Sequence, residues 1–295
     1  GRVFWQTSAL ALIVFNLFTI NWEFHAHSIP PEGYFPETSA VQFLKEQALR
    51  RPQPFRISSA GLLPGGSSAG AVYELRDITG NSPLHLAAFE QFSALMGEWR
   101  KWQLLNVLYV LDARDLDGPG LRRVHKQGDL KVYEVTDPFP PAWVVHTVQV
   151  AANDDEAHSL LNSDSFDLRR TAVVYEPVRF DLEPAEGSAA QVVETSPTHL
   201  AIQANLAAPG LLVVSEIYYP GWKATVDGQP ASISCADAVL RAVALPGGSH
   251  RVDMRYEPTA FYWGAAISGV TLLSCAGLLV WAWRCAAANR FRERN

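Results

Sequence analysis

Residues 66–70, GSSAG, formally match the G-x-S-x-G motif, in which a serine acts as the nucleophile of a hydrolase. That chemistry requires a buried strand that runs directly into the serine and a helix that leaves it. Here Pro64 and Gly65 interrupt the chain immediately before the motif. We therefore do not predict a catalytic role for Ser68.

Two other clusters have the residue types of metal ligands without a complete ligand set. Asp112, Asp115 and Asp117 could hold a hard cation, but they lack the spacing and the closing glutamate of an EF-hand loop, which favours a solvated turn. His25 and His27 form an H-x-H pair with no third ligand nearby. The sequence therefore predicts no catalytic residue, no metal site and no cofactor within this chain.

The elements that would position any site include a long apolar stretch near the C-terminus. Residues 261–283 carry no charge, and at about 1.5 Å per residue they are long enough to cross a hydrocarbon core of about 30 Å. Aromatic residues mark both ends, as expected at lipid–water interfaces: Tyr262, Trp263, Trp281 and Trp283. A buried core helix is the alternative, but such a helix would normally show a polar stripe. We predict a transmembrane helix over residues 260–283.

The segment after this helix fixes the predicted orientation. Residues 284–295 contain four arginines and a single glutamate. Because basic flanks stay in the cytoplasm, this tail is predicted to be cytoplasmic and residues 24–258 to be extracytoplasmic.

A second uncharged stretch, residues 3–22, is also predicted to span the membrane. It is less apolar, and its polar residues would be costly to expose to lipid: Gln6, Thr7, Ser8, Asn16 and Asn21. We expect them to face other helices. The sequence thus suggests a multi-pass parent protein, with membrane lipid and the remaining transmembrane helices of that parent as partners.

Charge and cysteine content exclude some function classes. The chain has 24 Lys and Arg against 30 Asp and Glu, a net charge of −6, and the basic residues crowd the C-terminal tail. An acidic extracytoplasmic part gives no support for binding nucleic acid. Of three cysteines, only Cys235 lies outside the last helix and its flank, so no disulfide framework is available.

The part between the two stretches divides into two predicted domains. Residues 23–188 alternate short helices with buried strands, which predicts an α/β layer. Residues 189–258 show alternating β-strands separated by turns, including the Asp227-Gly228 hairpin, which predicts a β-sandwich. Residues 183–188 collect Pro, Gly, Ala and acids and are the expected linker. The overall prediction is a membrane-anchored α+β chain whose sandwich sits against the membrane.

Several segments resemble a known family. The run SEIYYPGWKATVDGQPASI, followed by AVLRAVALPGGSHRVDMRYEP and an apolar span, resembles the C-terminal end of bacterial YfhO-like membrane proteins. Upstream, VYELRDITGNSPLHLAAFEQF and LLNVLYVLD are also similar to that family. The resemblance implies a relation to GT-C-type glycosyltransferases, which use polyprenyl-phosphate-linked sugars at the outer face of the membrane. In that architecture the catalytic carboxylate lies in an early loop outside this chain.

Two function classes follow, and the sequence leaves both open. The first is the extracytoplasmic end of a membrane glycosyltransferase that helps to hold a glycan acceptor or a polyprenyl-linked sugar. The second is a non-enzymatic binding or scaffolding module of the cell envelope. Sugar binding would use aromatic faces beside polar groups, for which the candidates are Tyr218, Tyr219, Trp222 and Lys223. The alternative is that these aromatic side chains pack the edge of the sandwich.

Overall fold

The computed structural model of the chain describes residues 2–24, 30–80 and 86–292. Its elements make the chain α+β, as predicted. His25 and His27 lie outside the described residues.

The helices of the described part are distributed along the whole chain. They are α1 (Arg2–Phe24), α2 (Pro31–Tyr34), α3 (Ser39–Arg50), α4 (Ala69–Val72), α5 (Ala87–Leu95), α6 (Glu98–Leu104), α7 (Asp154–Asn162) and α8 (Thr259–Arg292).

The strands of the described part lie between α3 and α8. They are β1 (Arg56–Ser58), β2 (Val107–Asp112), β3 (Leu121–Gln127), β4 (Leu130–Val135), β5 (Ala142–Val145), β6 (Thr147–Val150), β7 (Thr171–Val174), β8 (Ala189–Ser196), β9 (His199–Leu206), β10 (Gly210–Ile217), β11 (Trp222–Val226), β12 (Gln229–Ala231), β13 (Ser234–Ala236), β14 (Leu240–Leu245) and β15 (Gly248–Tyr256).

The chain forms two compact units. The first comprises Gly1–Pro83 and Val107–Pro138, and the second comprises Leu84–Asn106 and Phe139–Asn295. The first unit contains a four-stranded sheet in the order β1, β2, β4, β3, with β1 parallel to β2. Helix α3 supplies Val41 and Leu44 to the core of this unit, and the Thr38 side chain caps its N-terminus by accepting from the Val41 N–H.

The second unit contains two sheets that share one core. The larger sheet has the order β5, β10, β14, β13, β7, β6, and the smaller has the order β12, β11, β15, β9, β8. The side chains packed between them come from both sheets and include Leu212, Val243, Ile202, Val252 and Met254. The β-sandwich pattern in the sequence therefore has its counterpart here, and its core is a layer of aliphatic side chains between two sheets.

The larger sheet includes strands that precede the expected linker at residues 183–188. Strand β5 pairs with β10, and β7 pairs with β13. The predicted border at residues 188–189 thus falls inside the second unit. The physical reason is that β10 is buried along most of its length and needs a partner on each side, and its second partner comes from about 65 residues upstream.

The larger sheet is strongly curled. Strands β5 and β6 lie at opposite edges of the sheet order, yet only His146 separates them in the chain. In a flat sheet the two edges would be about 24 Å apart, at about 4.8 Å per strand, whereas one residue reaches only about 3.5 Å. The sheet therefore bends so that one continuous run of chain serves both edges.

Helix α8 contains the candidate membrane span of the described residues. Thr259–Arg284 is the one stretch in the described part that is long and apolar enough to cross a membrane, and it agrees with the predicted span. The apolar part of α1, Trp5–Thr19, is shorter. The predicted second span over residues 3–22 is not confirmed, because the apolar helix that the described residues show there is shorter than a membrane span.

Candidate substrate-binding site

The four predicted sugar-binding residues lie together where β10 leads into β11. Tyr218 and Tyr219 belong to the connection, and Trp222 and Lys223 begin β11. We call residues 218–223 the aromatic turn. The Tyr218 N–H donates to the Val239 carbonyl at 2.7 Å, which fixes the start of the turn. Gly221 has φ +102°, and a Cβ there would lie 2.9 Å from a ring carbon of Tyr256, so the turn requires glycine at this position.

Trp222 is half-buried and packs against the sandwich core. The guanidinium carbon of Arg241 lies 3.7 Å from the centroid of its ring, and the Tyr256 ring lies 5.6 Å away. Arg241 is itself buried, and its Nε donates to the Ile217 carbonyl at 3.0 Å. One face of the indole is thus occupied by a cation, an interaction worth about 0.5–2 kcal/mol. This arrangement favours the packing interpretation for Trp222.

Lys223 connects the turn to the segment that precedes α8. Its Nζ lies 2.9 Å from Oε2 of Glu257, and both side chains are largely exposed. The Glu257 N–H donates to the Gly221 carbonyl at 2.7 Å. The aromatic turn is therefore tied at two points to the residue that lies two positions before the membrane helix.

Tyr218 and Tyr219 differ from Trp222 because both are 43% exposed. The Tyr219 ring lies 6.3 Å from the ring of Tyr256. Tyr218 instead lines a cavity of about 370 Å³ on the second unit. The two neighbouring tyrosines therefore contribute to different surfaces.

The cavity combines aromatic, charged and hydroxyl side chains. Its lining includes Tyr175, Glu176, Arg179, Tyr218, Ser232 and Ser234. A volume in the range of about 300–1,000 Å³ suits a small ligand. One carboxylate, one guanidinium and several hydroxyls leave the lining without a strong net charge, which suits a polar, neutral ligand such as a sugar.

Two side chains of the lining are held in one protonation state. The Tyr175 hydroxyl donates to Oδ1 of Asp154 at 2.7 Å, and burial together with this bond raises the pKa of Tyr175. Burial also raises the pKa of the Cys235 thiol to about 12. The phenol therefore stays a hydrogen-bond donor and the thiol stays unreactive, so these groups can bind a ligand but do not supply a nucleophile.

Asp154 is positioned by the start of α7, whose first turn is acidic. Asn153 caps this helix by accepting from the Glu156 N–H at 3.0 Å. Asp154, Asp155 and Glu156 all lie in this first turn, where the helix dipole favours negative charge.

Sequence reasoning missed Asp237, a fully buried carboxylate beside the cavity strands. Its N–H donates to the Val173 carbonyl and its Oδ1 accepts from the Val173 N–H, both at 2.8 Å. Its Oδ2 has no hydrogen-bond partner among the described residues. Burial raises the pKa of Asp237 to about 7. The segment containing Asp237 reads as an ordinary polar turn, so no signal in the sequence marked this residue.

The structure also shows the surroundings of the serine motif and of the aspartate cluster, for which no site was predicted. Ser68 precedes α4, which is only four residues long, and β1 ends well before it, so the geometry of a nucleophile elbow is missing.

Asp112 accepts from Arg114 at 2.8 Å, and that bond lowers the pKa of its carboxyl. Asp115 pairs with Lys131 at 3.2 Å. Across the described ranges, no group of three or more His, Cys, Asp or Glu residues is arranged to hold a metal.

Comparison with known proteins gives one match. Residues 180–268 match the model of a family described as bacterial membrane protein YfhO. No curated protein and no solved structure matches the chain. The matched segment contains the aromatic turn, β8 to β15 and the start of α8. The predicted resemblance is thereby confirmed for residues 180–268, which form a YfhO-like membrane-protein segment. The upstream segments at residues 72–92 and 104–112, which were also predicted to resemble the family, lie outside the match.

Proposed function

We propose that this chain is the extracytoplasmic C-terminal part of a multi-pass bacterial membrane glycosyltransferase of the GT-C type, and that its sandwich helps to position the acceptor. The transferase would use polyprenyl-phosphate-linked sugars. Its catalytic carboxylate would lie in a part of the parent protein outside this chain.

One observation carries this proposal. Tyr218 lines the cavity, and it begins the aromatic turn that is bonded to Glu257 just before α8. A ligand in the cavity would therefore be held by the same structural element that is attached to the membrane helix. A lipid-linked sugar presents its head group at the membrane surface, so an acceptor site on a membrane-bound sandwich suits transfer from such a donor.

The chemistry of the cavity fits an acceptor glycan. Tyrosine rings pack on the apolar faces of sugars, while hydroxyl, carboxylate and guanidinium groups bond to sugar hydroxyls. Within the proposal, Tyr218 contacts the glycan. Trp222 and Lys223 keep the turn in place, the first through Arg241 and the second through Glu257. Tyr219 is not part of the cavity lining.

The orientation within this proposal follows from the basic C-terminal tail. With residues 284–295 in the cytoplasm and α8 crossing the membrane, the sandwich would lie on the outer side of the membrane. Residues 3–22 would provide a further span, with Gln6 and Asn16 facing helices of the parent protein.

The test uses the full-length parent protein reconstituted in lipid. Tyr218→Ala and Arg179→Ala should each raise the KM for the acceptor by about tenfold, the loss of about 1.4 kcal/mol of binding energy, with binding of the lipid-linked donor unchanged. Gln229→Ala, at an exposed position of the β11–β12 hairpin, is the control and should leave the acceptor KM nearly unchanged. Unaltered acceptor use in both cavity variants would contradict acceptor positioning and favour the scaffolding function.

A further inference from the structure

The attachment of the sandwich to α8 is short and hydrogen-bonded. Strand β15 ends at Tyr256 and α8 begins at Thr259, so only Glu257 and Pro258 separate them. The Phe261 N–H donates to the Pro258 carbonyl at 3.0 Å, which continues the hydrogen bonding into the helix. With Glu257 also bonded to Gly221, the aromatic turn cannot move far from the helix.

The length of the apolar segment places this attachment at a definite depth. Thr259–Arg284 has 26 residues, which span about 39 Å at about 1.5 Å per residue. The hydrocarbon core is about 30 Å thick, and each headgroup layer adds about 5–8 Å. About 4–5 Å of helix therefore remain at each end inside the headgroup layers, and Thr259 lies within one of them.

Tyr219 lies within reach of that layer. Its ring is 6.3 Å from the ring of Tyr256, the last residue before the link, and 43% of its surface is exposed. The first turn of α8 exposes Tyr262 and Trp263 at the same end of the helix. Aromatic rings with one polar atom prefer the lipid–water interface, where the ring is apolar and the hydroxyl stays hydrated.

We propose that Tyr219 inserts into the lipid headgroup layer and, together with Tyr262 and Trp263, forms an aromatic contact with the bilayer that fixes the depth of the sandwich. This surface faces lipid, whereas Tyr218 on the other side of the turn faces the cavity. The inference goes beyond the proposed function, because it holds whether or not the parent protein transfers a sugar.

The experiment measures depth with nitroxide labels on the whole chain, reconstituted in vesicles of phosphatidylethanolamine and phosphatidylglycerol. In a background with Cys235, Cys275 and Cys285 replaced by alanine, labels are attached at Tyr219→Cys, Thr198→Cys or Gln229→Cys. A label at position 198 leaves the Tyr219 side chain unaltered and still lies near Tyr256, because the Thr198 carbonyl accepts from the Tyr256 N–H at 2.9 Å. Gln229 is exposed at the far end of the β11–β12 hairpin and serves as the aqueous control.

Collision rates with oxygen, which partitions into lipid, and with a water-soluble nickel chelate report the environment of each label. We expect an excess of oxygen collisions at positions 219 and 198 and an excess of nickel collisions at 229. Tyr219→Ser should abolish the oxygen excess of the label at 198, and Tyr219→Trp should retain it. Nickel excess at both 219 and 198 would overturn the proposal, and so would shielding from both reagents, which would indicate a protein partner.

Discussion

Two neighbouring connections of the sandwich differ in their exposure to solvent and in their role. The aromatic turn between β10 and β11 is exposed and lies beside the membrane helix. The connection between β13 and β14, residues 237–239, is buried and includes the carboxylate of Asp237. The bond from Tyr218 to Val239 joins the two connections directly.

The difference indicates that the exposed connection serves binding and the buried connection serves stability. Exposed rings at 218 and 219 are free to meet a ligand or lipid, while Asp237 replaces a missing strand partner for the backbone of Val173. A buried carboxylate is costly to ionise. The two hydrogen bonds that Asp237 makes to the backbone of Val173 offset part of that cost. Changes in the exposed connection should alter binding, and changes at residues that face the core should alter stability.

Trp222 tests that division most strongly, because it lies in the exposed turn but packs inward. Trp222→Ala should destabilise the second unit by about 2–4 kcal/mol, the range for a half-buried large aromatic residue. The loss removes the ring beneath the buried Arg241. Circular dichroism should show the melting temperature fall by about 5–15 °C. Trp222→Phe should retain most of the stability of the unaltered chain. A folded alanine variant of unchanged stability would show that the indole is available for binding.

The second test concerns the buried connection and pH. The pKa of Asp237 is raised from 3.8 to about 7 in the folded chain, so the folded state binds a proton more tightly than the unfolded state. Its contribution to stability is therefore present at low pH and is lost as pH rises from about 4 to about 7. Asp237→Asn keeps an amide oxygen for the Val173 N–H and should flatten this part of the profile. Parallel melting profiles for both proteins across that window would refute the assignment.

A smaller effect is expected at the bend between β5 and β6. Because the Pro209 carbonyl only accepts, the His146 Nδ1 carries the proton at 3.0 Å, and Nε2 accepts from the Ser188 hydroxyl at 2.8 Å. Ser188 also accepts from the Ala207 N–H. His146→Ala should lower the free energy of unfolding by about 1–3 kcal/mol. It should also loosen the C-terminal end of the linker at residues 183–188.

Limited proteolysis with a glutamate-specific protease measures that release. We expect cleavage after Glu186, because Pro184 follows Glu183 and blocks cleavage there, and we expect it to be faster in His146→Ala than in the unaltered chain. Ser188→Ala is the matched variant, because it removes the bonds of the Ser188 hydroxyl to His146 and to the Ala207 N–H and leaves the bond between His146 and Pro209. It should also speed cleavage after Glu186. First cleavage within β8 to β15 would contradict the assignment of residues 183–188 as the exposed linker.

The smallest effect is expected for Lys223, whose ion pair with Glu257 is exposed. Lys223→Ala should change stability by about 0–1 kcal/mol, as for other surface ion pairs. Glu257→Gln should behave in the same way. A loss above that range, measured by thermal unfolding, would mean that the pair holds the turn against the link more firmly than its exposure implies.

Local patterns were sufficient for much of the fold. The apolar run of α8, the Thr38 cap of α3 and the alternation of β8 to β15 each carry their own signal. The pairing of β5 with β10 and the bend at His146 depend on contacts between residues far apart in the chain, which no local pattern encodes. For the same reason the sequence identified Tyr218 as a binding candidate but missed Tyr175 and Arg179, which the fold brings to the same cavity.

The central claim is that the sandwich lies at the outer surface of the membrane, and labelling of introduced cysteines in intact cells tests it most directly. In a background lacking the native cysteines, Gln229→Cys at the β11–β12 hairpin should react with a membrane-impermeant maleimide. Asn295→Cys should react only after the cells are lysed. The reverse pattern would place the sandwich in the cytoplasm and contradict the account.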